Sequence, residues 1–177
     1  MDYMVKTDLA IIGRNTAVDF VGYVENIPAK VDTGADSSAV WASNISVDKK
    51  GMLHFYLFDR QSACFTGKEI RTDTYGAVIV RSASGHEQVR YKVPMSVRIE
   101  GRRIKANFTL ADRSLQKYPA LIGRRTLNKK FLVDVSKAHY RDSSRVFTME
   151  SNALNDQVAT DPYGFYVKHF GKKRQDS

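Results

Sequence analysis

Lys30-Val31-Asp32-Thr33-Gly34-Ala35-Asp36-Ser37-Ser38-Ala39 is the stretch whose reading decides the fold. An apolar-flanked acid followed by a hydroxyl residue and glycine presents one carboxylate on a tight loop. Asp32 is the acid. Thr33 offers a hydroxyl for neighbouring backbone to hold, and Gly34 lets the chain turn and lets another backbone come close. A blander reading stands beside this one. An Asp before Thr-Gly is also a common loop cap, with its side chain bonded to the backbone of an Asx turn. A lone carboxylate does little chemistry. Two at hydrogen-bonding distance share a proton, because like charges so close cannot both ionise, and the pair then serves as base and acid toward one water.

A second stretch decides between the two. Pro119-Ala120-Leu121-Ile122-Gly123-Arg124-Arg125-Thr126-Leu127 places two large apolar residues before a glycine, then an arginine and a short helical run. Asp-Thr-Gly-Ala-Asp followed downstream by apolar-apolar-Gly-Arg resembles the paired signature of the retropepsin-like aspartic peptidases. More narrowly, the chain resembles a bacterial family labelled ATP-dependent zinc protease and associated with ribosomal-protein glutamate ligases. The closer match runs through Ala29 to Ala35, Phe108-Thr109-Leu110-Ala111-Asp112-Arg113-Ser114, Tyr118-Pro119, Leu121 to Arg124, and Phe131-Leu132-Val133-Asp134. It covers roughly the first three quarters of the chain.

The resemblance implies an all-β, retropepsin-like closed barrel with one short helix after Gly123. It implies an aspartic-type endopeptidase with Asp32, Thr33 and Gly34 as the catalytic loop. Ala35 and Asp36 would receive substrate, with Ser84 and Gly85 at the tip of a covering flap. Leu121, Ile122, Gly123 and Arg124 would support the loop from below. In such a fold Asp36 and Arg124 form a pair that locks the loop to the helix; as residues alone, each reads equally as a solvated charge. Residues 75–92 stand where the flap belongs, and they read equally as an ordinary exposed hairpin. With a single Asp-Thr-Gly in the chain, the second carboxylate has to come from a second copy, so a homodimer with one Asp32 per chain is expected.

Composition bounds the partners. The chain has 177 residues, enough for one domain with a real core. Its formal net charge of +9 favours acidic partners, and the glutamate-ligase association points the same way, to glutamate-tailed protein substrates. The basic residues are scattered as on a solvated surface, apart from Lys172-Lys173-Arg174. No nucleic-acid or membrane partner is expected. Cys64 is the only cysteine, which excludes an internal disulfide and suits a reducing, cytoplasmic compartment. Leu9-Ala10-Ile11-Ile12 is too short for a signal core or a membrane span. No metal or cofactor motif is legible: there is no His-Glu-x-x-His and no Gly-x-x-x-x-Gly-Lys, and His54, His86, His139 and His169 stand apart. Two alternatives to the aspartic peptidase stay open: a non-catalytic binding module for acidic protein tails, and a zinc-dependent peptidase as the family label implies.

Taken in order, strands are expected at Asp8–Ile12, Ala17–Tyr23, up to Asp32, Met52–Phe58, Tyr75–Val80, Val89–Ile99, Ile104–Leu110, Leu121–Ile122 and Phe131–Val135. In Val89–Ile99 the residues Val89, Tyr91, Val93, Met95, Val97 and Ile99 share one face, as in a half-buried antiparallel strand. Pro94 places that strand near an edge or bulge. Trp41 reads as core or interface. The peptidase domain is expected over residues 1–140. Residues 141–177 read as a polar extension, ordered in part at most, with no regular structure assigned to Arg141–Asp161.

Overall fold

The alternation in the Val89–Ile99 segment shows how the barrel forms. Val93, Met95, Val97 and Ile99 are buried, while Val89 is 70% exposed. The strand continues past the core and leaves it. The computed structural model describes residues 9–81, 85–140 and 144–170, which fall into two units divided between Tyr140 and Arg141.

In the first unit the strands are β1 (Ala10–Ile12), β2 (Asn15–Phe20), β3 (Val24–Asp32), β4 (Ser38–Val47), β5 (Leu53–Leu57), β6 (Glu69–Thr72), β7 (Gly76–Arg81), β8 (Glu87–Ile99), β9 (Arg102–Ala111), β10 (Ala120–Gly123) and β11 (Phe131–Val133). One short helix, α1 (Arg124–Leu127), follows Gly123. The order β10-β3-β2-β8-β9-β4 closes on itself because β10 also pairs with β4. The result is a six-strand barrel, the retropepsin-like fold expected from the sequence. Its interior is filled by alternate residues of the strands, among them Val18, Phe20, Ile27, Val31, Val40, Phe108 and Ile122. Phe20 and Phe108 meet edge to face at 5.2 Å between ring centroids.

The departures from the expected strands have physical causes. β4 was not assigned as a strand, because polar Ser43, Asn44 and Ser46 interrupt its apolar pattern. It changes role along its length: Ser38–Trp41 pairs with β9, and Ala42–Val47 pairs with β5 in an outer sheet that β6 completes. A register shift between Ser43 and Ser46, with Asn44 at φ 51°, marks the change. β6 is short and polar at three of its four residues, so it carries no strand signal. Trp41 packs edge to face on Phe58, as a core-margin residue.

Buried polar groups are accommodated. Asn15, 2% exposed, gives its amide to the Tyr118 hydroxyl and the Tyr140 carbonyl, and its Oδ1 accepts the Tyr140 N–H at 2.8 Å. This ties the start of β2 to the end of the first unit.

The second unit is helical, with α2 (Ser144–Thr160) and α3 (Pro162–Phe170). The sequence reading leaves Arg141–Asp161 without regular structure, and the helices replace that expectation. The helical signal lies in Asp161-Pro162: Asp161 Oδ1 accepts the Gly164 N–H at 2.9 Å, an N-cap, and proline takes the first helical position. Among the described residues, no helix is long and apolar enough to cross a membrane.

The β4–β5 turn carries its own titration. Asp48 accepts the Met52 and Lys50 N–H groups and faces His54 Nε2 at 3.2 Å. The Met52 amide, His54 and the Lys50 amide hold its carboxyl below the usual carboxylate range. A depressed folded value means stability that is full above the ordinary value and lost as pH falls through the folded one. The thermal midpoint should therefore drop below about pH 4. Asp48→Asn, which does not titrate, should flatten that acid limb when melting is followed by circular dichroism.

Candidate active site

The two sequence blocks meet because β10 threads between the strands on either side of the Asp32 loop. It runs parallel to β3, with Ile122 beside Val31 and Gly123 beside Asp32, and antiparallel to β4, with Leu121 beside Ala39. Ile122 is fully buried, and Leu121 borders the cleft described below. Gly123 is needed for close approach. A Cβ there would stand 2.6 Å from the carbonyl of Ser37 and 2.9 Å from that of Ala35. Both obstacles are backbone, which cannot swing away.

Helix α1 then fastens the loop. The Arg124 N–H donates to the Ala35 carbonyl at 2.8 Å, and the Arg125 N–H to the Asp36 carbonyl at 3.2 Å. Below them Ser38 Oγ accepts the Gly123 N–H at 3.1 Å and shares a 2.7 Å hydrogen bond with Thr126 Oγ1. This buried hydroxyl pair was not singled out from the sequence; Ser and Thr at loop ends are too common to stand out.

On this support the loop presents Asp32. Its Oδ1 accepts the N–H groups of Gly34 at 3.0 Å and Ala35 at 3.1 Å. The Asx-turn reading and the presented-carboxylate reading are therefore compatible, since one oxygen is held by backbone. Lys30 Nζ lies 3.9 Å from Oδ2. Asp32 is half-buried, and Thr33, Gly34 and Asp36 are exposed. Thr33 Oγ1 makes no hydrogen bond among the described residues. Asp36 and Arg124 form an ion pair, and both side chains are more than half exposed in the single chain.

The hairpin of β7 and β8 pairs from Gly76–Lys92 to Arg81–Glu87. A cavity of about 610 Å³ lies between it and the loop. Gly34, Ala35 and Asp36 line one side, and Val78, Ile79, Val80 and Arg81 the other, while Arg90, Arg113 and Arg125 add three guanidiniums. Gly85 takes φ +82°, which favours glycine, and does not line the cavity. Ser84 lies outside the described residues. Arg90 and Arg113 were not identified as site residues from the sequence; Arg113 lies inside the matched Ala111-Asp112-Arg113 run. Asp112 accepts the Ser114 N–H at 2.9 Å. Burial pushes the Arg113 guanidinium below its usual range, with Arg90 adding to the shift and Asp32 opposing it.

A family described as the retropepsin-like aspartic endopeptidase RimB matches residues 11–144, which include the Asp32 loop, the hairpin and the Gly123 threading. The chain belongs to this RimB-like family. Membership of the RimB-like family accounts for the barrel. Two curated relatives, probable alpha-L-glutamate ligases of Shewanella pealeana and Shewanella halifaxensis, are each 27% identical over 118 residues. The match takes in 65% of this chain and 26% of theirs, so the chain spans about a quarter of their length. The crystal structure of a Legionella pneumophila protein of unknown function superposes with a TM-score of 0.58 at 22% identity, over 73% of this chain and 95% of that one, and shows the shared fold. Among the described residues, no group of three or more His, Cys, Asp or Glu is placed to hold a metal ion.

Two substitutions test this support. Gly123→Ala forces a Cβ into backbone and should cost about 1–3 kcal/mol by urea unfolding. Arg124→Ala breaks an exposed pair and should cost the isolated protomer no more than about 1 kcal/mol.

Proposed function

We propose that the chain is an aspartic-type endopeptidase that acts as a homodimer on acidic, glutamate-bearing protein tails. The observation that carries this reading is the presentation of Asp32. One oxygen is fixed by two amides, on a loop locked by β10 and α1, beside a cleft closed on its other side by a hairpin. One such carboxylate per chain makes a second copy necessary.

The surface next to the loop supports that copy. Thr33, Arg124, Leu127, Phe131 and Val133 line a shallow groove of about 420 Å³. Beside it, β1 and β11 run parallel, with Ile11 and Leu132 adjacent and each 52% exposed. Apolar strand residues left open beside an unpaired threonine hydroxyl suit a two-fold contact.

In the dimer the two Asp32 carboxylates hold one proton and a water between them. The ionised one takes a proton from the water as its oxygen attacks the peptide carbonyl carbon. The protonated one gives its proton to the carbonyl oxygen, forming a gem-diol. On collapse the C–N bond breaks, the amine leaves with a proton, and a new carboxyl end remains. The rate should be bell-shaped in pH, and the upper limb marks loss of the shared proton.

Two observations favour an acidic substrate. The chain is strongly basic, and a segment similar to it forms part of longer chains named probable alpha-L-glutamate ligases. A peptidase allied to such a ligase has ligated glutamate as its natural target, in a reducing cytoplasmic setting consistent with the lone Cys64. The arginines in the cleft also favour a second reading, a binding module that grips acidic tails without cutting them.

One experiment separates these readings. Wild type should sediment as a dimer and cleave a glutamate-tailed protein. Asp32→Asn should keep fold, dimer and binding and lose turnover by orders of magnitude, and mixing it into wild type should poison activity through mixed dimers. Wild-type turnover in a well-folded Asp32→Asn protein, or full activity in a strict monomer, would overturn the aspartic mechanism. Binding without cleavage in the wild type would establish the module. Activity lost with EDTA and restored by zinc would establish the metallopeptidase.

A further inference from the structure

Two arginines line the cleft from neighbouring segments, where β8 pairs with β9 up to Lys92 beside Thr109. Arg90 comes from β8, within the hairpin, and Arg113 from the loop after β9. Arg90 Nε donates to Gln88 Oε1 at 2.9 Å, and Arg113 Nε donates to the Tyr118 carbonyl at 3.1 Å. Each bond uses the inner nitrogen. Among the described residues the terminal NH₂ groups, which form the fork that matches a carboxylate, are left uncommitted.

Among the described residues, neither arginine has a carboxylate within salt-bridge distance. Other arginines of this chain are paired: Arg71 with Glu69, Arg81 with Glu87 and Arg124 with Asp36. Both cleft guanidiniums are depressed by burial, and Arg113 further by the charge of Arg90. Asp32 is the acid whose field reaches Arg113. Two like charges held together in a partly dry cleft repel, and among the described residues no ion pair compensates them directly.

We propose that Arg90 and Arg113 form a carboxylate subsite that takes an acidic side chain of the peptide substrate next to Asp32. The placement beside a scissile bond rests on the peptidase reading; the subsite itself does not. Because Arg90 rides on the hairpin and Arg113 on the loop after β9, a bound carboxylate also replaces repulsion with attraction between the two segments. An acidic side chain therefore draws the hairpin down, and a neutral one does not. Recognition and closure become one event.

The test uses the full chain carrying Asp32→Asn, so that binding is read without cleavage. Fluorescein-labelled hexaglutamate and hexaglutamine are the probes, followed by anisotropy at physiological salt. Hexaglutamate should bind at least about tenfold more tightly than hexaglutamine. Arg90→Gln and Arg113→Gln should each weaken hexaglutamate by about tenfold, and together by less than the product, because they share one carboxylate. Lys49→Gln with Lys50→Gln removes the same charge at the β4–β5 turn and should cost less than about twofold, as screened surface charge does. Hydrogen exchange of the β7–β8 amides should slow with hexaglutamate, and not with hexaglutamine or in Arg90→Gln. Should Arg113→Gln unfold, Arg90→Gln, outside the core, decides alone.

Equal binding of the two peptides, or an equal loss from the lysine pair, overturns the subsite. Cleavage by the wild-type chain is read separately. If it cuts no glutamate peptide while binding follows the arginines, the peptidase reading falls and the subsite stands. If it cuts and hexaglutamine binds equally well, the subsite falls and the peptidase reading stands.

Discussion

The architecture depends on one close approach: the backbone of Gly123 lies against the carbonyls of Ser37 and Ala35, where a Cβ would stand 2.6 and 2.9 Å from their oxygens. That contact lets a third strand pass between two strands joined by a short loop. Without it β10 could not bridge β3 and β4, the barrel would stay open, and α1 would not deliver its first amides to the loop carbonyls. Closure of the sheet and rigidity of the loop thus have a common origin. Hydrogen bonds from Arg124 and Arg125 satisfy carbonyls that a tight loop would otherwise leave to water, and the Ser38–Thr126 pair does the same beneath.

The loop so held differs from the hairpin opposite it. The loop is anchored by strands on both sides and by a helix. Among the described residues the hairpin is anchored through the lower part of β8, where Val93, Met95, Val97 and Ile99 are in the core, and at its base by Tyr75, whose hydroxyl donates to the Gly51 carbonyl. Its outer part has exposed apolar residues such as Ile79 and Val89 and, among the described residues, pairs only with itself. A rigid acid facing a lightly held cover is the division of labour that a site needs if it must admit a chain and then exclude water. The arginines add a field to this geometry. They line the cleft beside the hairpin, and on the proposed reading the charge of whatever enters bears on how the cover closes.

Much of this was legible in the chain. The Asp-Thr-Gly loop and the Leu-Ile-Gly-Arg block each carry a local constraint: a turn that needs a small residue, and an apolar pair ending in a glycine. The strict alternation of Val93, Met95, Val97 and Ile99 revealed a barrel strand directly. The same alternation over-reached at Val89 and Tyr91, because a strand that leaves the core keeps its period after it has lost its interior. β4 was hidden for the opposite reason. Its polar middle marks the place where it changes sheets, and a bulge breaks the pattern. The Asp161-Pro162 helix start was a local signal that went unread, since the polar residues around it suggested no packing.

By itself the sequence determined the fold class, the loop that carries Asp32 and the strand that supports it, because these rest on residue types that few other conformations tolerate. The tertiary structure decided what surrounds them. Arg90 and Arg113 are 23 positions apart and belong to no common motif; they line one cleft because β8 pairs with β9, Lys92 beside Thr109, which brings the hairpin strand and the loop after β9 together. The exposure of the Asp36–Arg124 pair was decided there too. Charges announce themselves in a sequence, but whether a charge meets water, an opposite charge or its like depends on which backbones lie beside it, and that is set by the closing of the barrel.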